Sequence, residues 1–166
     1  MNSVVSYSQN ALNFSLHQDL KLLAIGDNRG NDAGTINFVA RIKYEGKDNS
    51  LGYFVYGLEY ENAFLTTKYT RYAAFTGFTF MDIFNDYNLQ VTPSVGIGNI
   101  HRENTNLLSF SASLQLEYFL SERVRLSFLN QITERSDLEF LYGKLEYRYS
   151  FFFGIEIQLF KFKPKY

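Results

Sequence analysis

The chain of 166 residues is long enough for one domain with a sizeable core, has a net charge of −1 and contains no Cys. The lack of Cys excludes disulfides, a thiolate nucleophile and cysteine-ligated metals, and the lack of a basic excess argues against nucleic-acid binding. The 17 Phe and 13 Tyr residues bring the aromatic fraction to 18%. Aromatic residues favour β-strands, and Tyr is also typical of the boundary between membrane and water.

Alternation of apolar and polar residues, which indicates half-buried strands, begins at Leu12 and predicts four strands in the first half of the chain. Strand one extends through Leu22. The Gly, Asn and Asp content of the following segment, 24–34, predicts a loop. The next three strands are predicted at 35–46, 51–61 and 65–78.

Four more strands are predicted at 89–99, 107–120, 124–135 and 144–160. Residues 79–88, 100–106 and 136–143 are predicted to be loops between these strands. Pro93 lies inside strand five and removes a ladder donor, which points to a bulge there.

The last strand is the strongest signal. Residues 144–160 alternate without a break and, at ~3.3 Å per residue, span roughly 50 Å. Strands of small soluble domains usually have about five or six residues, so this length suits a tilted transmembrane strand. A ninth strand at 138–141, or even a tenth, is an alternative. Eight is preferred because an even count returns both chain ends to one side of a barrel.

Side-chain size indicates which face of the closed sheet points inward. The apolar face carries mostly bulky residues, whereas the polar face carries Gly96, Gly98, Gly154 and several Ser. The interior of an eight-stranded barrel is only just wide enough for side chains, so small residues belong inside. The apolar face then points outward, which requires lipid around the barrel. The residues expected to face lipid are Leu114, Leu116, Phe151, Phe153, Ile155 and Ile157.

Charges of both signs lie on the polar face in nearly equal numbers, which predicts a paired network that plugs the barrel. An unpaired buried charge costs several kcal/mol even after relaxation. The lumen network is expected to contain Asp19, Lys21, Arg41, Glu59, Arg71, Glu117, Arg125, Glu146, Arg148 and Glu156. Further charges on the same face are Lys43, Glu45, Glu61, Arg135 and Lys144.

These patterns predict an all-β, eight-stranded, antiparallel, up-and-down transmembrane β-barrel at 11–160, between a polar tail at 1–10 and a basic tail at 161–166. The alternating segments, short turns on one side and inward charges resemble the small eight-stranded outer-membrane barrels of the OmpA and OmpX type. The resemblance implies the outer membrane of a Gram-negative bacterium. Two features depart from it: Pro164 interrupts the aromatic ending of the last strand, and Tyr has to replace Trp in the aromatic girdles.

No apolar run of ~18 residues is present, so no transmembrane helix is predicted. Residues 1–10 also lack the basic and apolar regions of a signal peptide. Either a leader was removed from a mature form, or the chain never crosses an inner membrane. The outer-membrane assignment rests on the first of these.

Ser15, His17 and Asp19 share one face of strand one, in the manner of a nucleophile, a base and an acid. Same-face neighbours on a strand lie roughly 7 Å apart, too far for the direct hydrogen bonds of a triad. Ordinary lumen polar residues are therefore favoured, and no catalytic residue is assigned.

Metal ligands and cofactors are not predicted either. His17 and His101 are too few and too far apart in sequence for a convincing metal site. The oxygen-bearing side chains at 27–32 suit Ca²⁺ but lack the full loop pattern.

The favoured function is a structural or adhesive role through the loops at 24–34, 100–106 and 136–143. Expected partners are membrane lipid and another outer-membrane protein, with the chain a monomer or a subunit of a membrane complex. Two alternatives stay open. One is an outer-membrane enzyme that modifies lipids, and the other is a soluble, lipocalin-like barrel with its apolar face inward.

Overall fold

A computed structural model describes residues 10–27, 31–49, 51–64, 68–83, 86–102 and 104–162, without the side chains of 140–142. Each strand pairs antiparallel with its neighbours in sequence, and the first strand pairs with the last, which closes a barrel. The predicted eight-stranded up-and-down barrel is confirmed. Its strands are β1 (Ala11–Asp19), β2 (Asn37–Glu45), β3 (Gly52–Ala63), β4 (Tyr69–Phe80), β5 (Leu89–Arg102), β6 (Thr105–Phe119), β7 (Val124–Arg135) and β8 (Glu146–Lys161).

The barrel has two ends. The loop end carries the β1–β2, β3–β4, β5–β6 and β7–β8 connections, and the turn end carries the other three connections and the two ends of the strand sequence. Two short helices lie at the loop end: α1 (Leu20–Ala24) and α2 (Ser136–Tyr142). Within the described ranges, no helix is long and apolar enough to cross a membrane.

Most strand bounds match the alternation in the sequence. β7 has the predicted bounds, and β6 and β8 differ from theirs by one or two residues at each end. β3 and β4 both end two residues later than predicted, at Ala63 and Phe80. Residues 79–80 are therefore strand rather than loop. The predicted start of strand four, at 65–67, lies outside the described residues.

The first strand ends earlier than predicted because Asp19 caps a helix. Its Oδ1 accepts hydrogen bonds from the backbone amides of Lys21 and Leu22, at 3.0 and 3.2 Å. A side-chain acceptor at this position satisfies amides that lack a partner in the first helical turn. The apparent alternation of Leu20 and Leu22 therefore belongs to α1, in which Leu22 is buried and Lys21 is exposed.

Two predicted loops also differ. The segment 136–143 forms α2, which ends at Gly143 with a φ of 70°. This helix covers residues 138–141, so the ninth-strand alternative is wrong. The predicted loop 100–106 is mostly strand: β5 and β6 are joined by residues 103–104, and the Thr105 hydroxyl donates to the Arg102 carbonyl at 2.6 Å.

Pro93 does not produce a bulge. β4 and β5 keep one register on both sides of it, with Gly77 opposite Ser94 and Phe80 opposite Val91. The pairing is interrupted between these positions, where proline has no N–H to donate. The register shift of the barrel lies instead between Leu12 and Asn13, where β1 meets β8.

The interior holds mostly polar side chains, together with two apolar clusters. One consists of Val39, Leu129 and Phe152, and the other consists of Ala63, Tyr69 and Ile100. The core is therefore layered, with apolar packing between charged groups.

Closure of the barrel depends on close backbone approach at Gly154, which lies opposite His17. A Cβ at this position would collide with the Leu16 carbonyl oxygen and lie 2.7 Å from the His17 Cα. We expect Gly154→Ala to lower the free energy of unfolding by about 1–3 kcal/mol, the usual cost of overpacking. Urea unfolding in detergent micelles measures this loss. Gly96→Ala is the control, because its closest neighbour is the rotatable Ser111 hydroxyl. Equal losses for both variants would contradict the role of Gly154.

Candidate functional site

The two faces of the barrel are inverted relative to a water-soluble protein. Inside, Arg41 and Glu59 are 2% and 4% exposed. Outside, Leu114 and Ile155 are 42% and 47% exposed. The remaining residues predicted to face lipid also lie on the outer face, with Ile157 exposed and Leu116, Phe151 and Phe153 half-buried against outer neighbours.

Glu59 is the centre of the charge network in the middle of the lumen. Its carboxylate accepts hydrogen bonds from Arg41 Nε at 2.7 Å, Arg71 Nη1 at 2.5 Å and Gln131 Nε2 at 2.9 Å. Arg41 lies directly opposite Glu59 in the β2–β3 register, and its guanidinium also stacks 4.6 Å from the Phe75 ring centre. One carboxylate thus compensates two buried guanidinium groups.

A second cluster lies in the lumen near the turn end. Oxygens of Glu45, Glu117 and Glu156 lie within 4.8 Å of one another. Arg125 donates to all three, at 2.5, 3.1 and 3.1 Å, and Lys43 Nζ pairs with Glu117 and lies 2.9 Å from Glu156. The two cationic side chains lie where a metal ion would have to bind, so this trio is a site of ion pairing.

A third cluster lies in the lumen near the loop end. Arg148 pairs with Asp19 at 3.2 Å and lies 3.7 Å from Glu61. The Asn37 amide donates to both carboxylates, and the Tyr69 hydroxyl donates to Glu61 at 3.2 Å. Asp19 therefore both caps α1 and joins the barrel wall to the lumen network.

A clamp of two arginines on one carboxylate fixes α2 to the loop end. Asp137 accepts from Arg135 Nε at 2.7 Å and from Arg102 Nη1 at 2.9 Å. The Ser136 hydroxyl donates to the Leu108 carbonyl at 2.6 Å, which attaches the start of α2 to β6. Burial alone would raise the pKa of Asp137, but the hydrogen bonds and charges of Arg135 and Arg102 lower it below its usual range.

The structure places nine of the ten predicted network residues on inward positions of the barrel. Lys21 is not among them, because it lies exposed on α1. Glu146 is half-buried at the loop end, opposite Arg135 in the β7–β8 register. Lys144, also predicted to point inward, is exposed before β8 begins. The nine are Asp19, Arg41, Glu59, Arg71, Glu117, Arg125, Glu146, Arg148 and Glu156, of which Glu146 and Arg148 are half-buried.

Two glutamine side chains belong to the lumen network but were not predicted to, because the prediction considered charged residues only. Gln131 donates to both Glu59 oxygens, and Gln115 donates to Glu117 at 2.7 Å and accepts from Arg41 at 3.1 Å. Both lie on the inward parity of their strands, so the alternation could have identified them. Asp137 carries no such signal because it lies outside any strand.

The predicted trio on β1 is not a catalytic triad. His17 Nε2 lies 2.9 Å from Oγ of Ser127, which faces the same lumen from β7. The hydroxyl of Ser15 has no hydrogen-bond partner among the described residues. Asp19 makes the bonds of a helix cap instead of orienting the imidazole. His17 and Ser127 are 1% and 0% exposed, so a substrate could not reach the pair without rearrangement of the interior.

The loop at 27–32, whose oxygen-bearing side chains suit Ca²⁺ without the full loop pattern, is only partly described. Both carboxylate oxygens of Asp27 accept hydrogen bonds from Asn31, at 3.2 Å from its backbone amide and 2.7 Å from its side chain. Asn28 lies outside the described residues. The carboxylate oxygens of Asp27 thus make hydrogen bonds within the loop.

Comparison with known proteins identifies the fold. No protein-family model and no curated protein matches the chain. The structure is similar to Ail of Yersinia pestis in a phospholipid bilayer nanodisc, with a TM-score of 0.57 and 10% identity over 91% of this chain and all of that one. This is a transmembrane β-barrel fold.

Two further structures agree with this assignment of the fold. A de novo designed transmembrane β-barrel gives a TM-score of 0.52 with 14% identity, covering 91% of this chain and 97% of that one. The crystal structure of Ail, the attachment invasion locus protein, gives 0.51 with 9% identity, covering 92% and 99%. The predicted resemblance to small eight-stranded outer-membrane barrels is confirmed at the level of architecture.

Removing the Glu59 charge tests the lumen network of this transmembrane barrel. In Glu59→Gln, Arg41 and Arg71 stay buried without their counter-charge, and breaking a buried pair in this way typically costs about 3–5 kcal/mol. Urea unfolding in micelles should show this loss. Glu122→Gln, in the exposed β6–β7 turn, should change stability by less than about 0.5 kcal/mol. A stable Glu59→Gln variant would mean that the two guanidinium groups are solvated.

The α2 clamp predicts a pH dependence at the loop end. The pKa of Asp137 is lowered in the folded state, so its contribution is complete above the unfolded carboxyl pKa of about 3.9 and is lost as the pH falls through the lower folded value. The protection factors of the α2 amides, which correct for the slower intrinsic exchange in acid, should fall at acidic pH while those of β7 stay high. Asp137→Asn should expose α2 at neutral pH, whereas Glu139→Gln, exposed on the same helix, should leave it unchanged. Fast exchange of α2 in the wild type at neutral pH would refute the clamp.

Proposed function

We propose that the chain is an outer-membrane β-barrel protein with a plugged, charge-paired lumen and a structural or adhesive role carried by its loop end. The observation that carries this proposal is the inversion of the two faces, apolar outside and charged inside. In water, a continuous outer band of exposed Leu, Ile, Val and aromatic side chains would drive association, because monomeric soluble proteins rarely expose large apolar patches. In a bilayer the same band is solvated by hydrocarbon.

Aromatic side chains near both ends of the outer face support a bilayer position. Near the turn end, Phe54 and Phe80 both pack edge-on against Phe78, with ring centres 5.1 and 5.0 Å apart. Near the loop end, Tyr60 and Tyr72 pack at 5.1 Å. Outer-membrane barrels carry such aromatic girdles at the two membrane–water interfaces. Tyr and Phe take the place of Trp in this chain.

The soluble alternative is disfavoured by the same geometry. A lipocalin-like barrel needs an apolar interior that holds a ligand, whereas most of the buried side chains described in this lumen are polar or charged. A lipid-modifying enzyme is disfavoured because the His17 and Ser127 pair is closed off from both membrane and solvent. Of the two alternatives, the soluble barrel also leaves the exposed outer band unexplained.

The loop end supplies the features that favour an interaction role. Ile25 is 79% exposed just after α1, with Leu23 exposed beside it, and Phe64 is exposed in the β3–β4 connection. Ail, the attachment invasion locus protein of Yersinia pestis, shares this barrel fold at 10% identity. Of the three loops predicted to act, the segment 100–106 is too short to serve, which leaves 24–34 and 136–143. The partner would be another membrane or surface protein, with the barrel a monomer or one subunit.

A charged side chain on the outer face tests the bilayer position. Leu114→Arg, in the middle of β6, should lower stability in liposomes by about 2–4 kcal/mol, whereas Leu120→Arg, near the turn end, should cost about 0–1 kcal/mol. Unfolding from liposomes by denaturant measures both. In a soluble barrel the two variants would behave alike and improve solubility, an outcome that would exclude lipid as the outer solvent.

Exposed apolar residues at the loop end test the adhesive role. Cells that display a Leu23→Ser, Ile25→Ser double variant should adhere to a cell monolayer about tenfold less, because truncating a central contact typically costs more than about 1 kcal/mol. Leu51→Ser is the matched control, since Leu51 is equally apolar and 69% exposed but lies at the turn end. Fractionation of outer from inner membranes should find all variants in the outer membrane. Unchanged adhesion of the double variant would leave only a structural role.

A further inference from the structure

An apolar groove of about 560 Å³ lies on the outer face of the barrel, lined mostly by β2–β5 with Phe14 of β1 and Leu108 of β6 at its margins. Its lining includes Ala40 and Ala74, the small outward side chains at this part of the wall, between larger neighbours such as Leu58 and Ile97. Pockets that bind small molecules are typically about 300–1,000 Å³. The groove is therefore large enough to hold part of a bound molecule.

One end of this groove is polar. Tyr60, Tyr72 and Asn99 form neighbouring positions on β3, β4 and β5, close to the loop end of each strand. The Tyr60 hydroxyl accepts a hydrogen bond from the Asn62 side chain at 2.9 Å, so it is directed toward the loop end. Asn99 is an exposed amide whose side chain has no hydrogen-bond partner among the described residues. An unpartnered amide in an apolar outer wall is costly in hydrocarbon.

We propose that the groove binds one acyl chain of a membrane lipid from the leaflet at the loop end. The acyl chain lies along Leu58, Ala74 and Ile97 toward the middle of the membrane. Its ester or amide carbonyl oxygen accepts a hydrogen bond from the Asn99 amide beside the tyrosine hydroxyls. This inference rests on the proposed position of the barrel in a bilayer.

A second copy of the chain fits the groove less well. A two-fold contact between copies places the same patch on both partners. Two grooves would then face each other, and both would stay unfilled. An acyl chain, with its polar group at one end and hydrocarbon along the rest, matches the order of polar and apolar side chains from the loop end toward the barrel middle.

The test compares lipid retention by the full chain and three variants, using phosphatidylethanolamine as the probe. Ala74→Phe fills the groove, and Asn99→Leu removes its polar end. Ala112→Phe is the matched control, because Ala112 is an exposed outward alanine on β6 outside the groove. Each protein is released from lipid-containing micelles into native mass spectrometry. Folding into liposomes, followed by heat-dependent electrophoretic mobility, is measured in parallel for all four.

We expect the wild type and Ala112→Phe to retain one lipid per barrel, Ala74→Phe to lose it, and Asn99→Leu to retain it less. Equal retention by all four folded proteins would overturn the inference while leaving the proposed function intact. A wild-type dimer that Ala74→Phe abolishes would overturn it in favour of a second copy. Failure of the wild type to fold into liposomes would overturn the proposed function and, with it, the lipid site.

Discussion

Eight strands enclose a space that is only as wide as the side chains filling it, and this limit governs the rest of the structure. Isolated charges are costly to bury, so the ionic groups inside the barrel need partners on neighbouring or facing strands. Glu59 meets Arg41, Arg71 and Gln131, and Arg125 meets three carboxylates from three different strands. The charge pairs fix the mutual positions of strands that are far apart in sequence.

The same limit explains why so much of the barrel could be predicted. A period of two sends every second residue inward, so a narrow charged interior and a lipid-like exterior appear in the sequence as uninterrupted alternation. The outward face of β8 is apolar or aromatic from Tyr147 to Leu159, and β7 alternates except at Leu129 and Asn130. The bounds of both strands were predicted within two residues. On β4, the inward position of Arg71 was predicted in the same way.

The errors arose where a local hydrogen bond decides the structure. An alternation of apolar and polar residues cannot indicate that Asp19 caps a helix. Leu20 and Leu22 continue the alternation by coincidence. The hairpin after Arg102 is short because its polar residues still pair as strand, so composition alone overestimated the loop. Gln115 and Gln131 escaped a search that counted charges, although a buried guanidinium or carboxylate with unused hydrogen-bonding capacity calls for neutral partners as well.

Many of the buried charged groups in the lumen pair with one another. Residues that could have served as catalytic or metal-binding groups, such as His17 and Glu156, are consumed by packing and ion pairing. The outer wall and the loop end are the surfaces that meet other molecules, and both combine apolar exposure with a few polar groups. The polar groups Asn99, on the outer wall, and Asp137, at the loop end, differ in whether they have partners among the described residues of the protein. Asp137 is fully engaged in holding α2, whereas the amide of Asn99 faces outward and is available to a lipid.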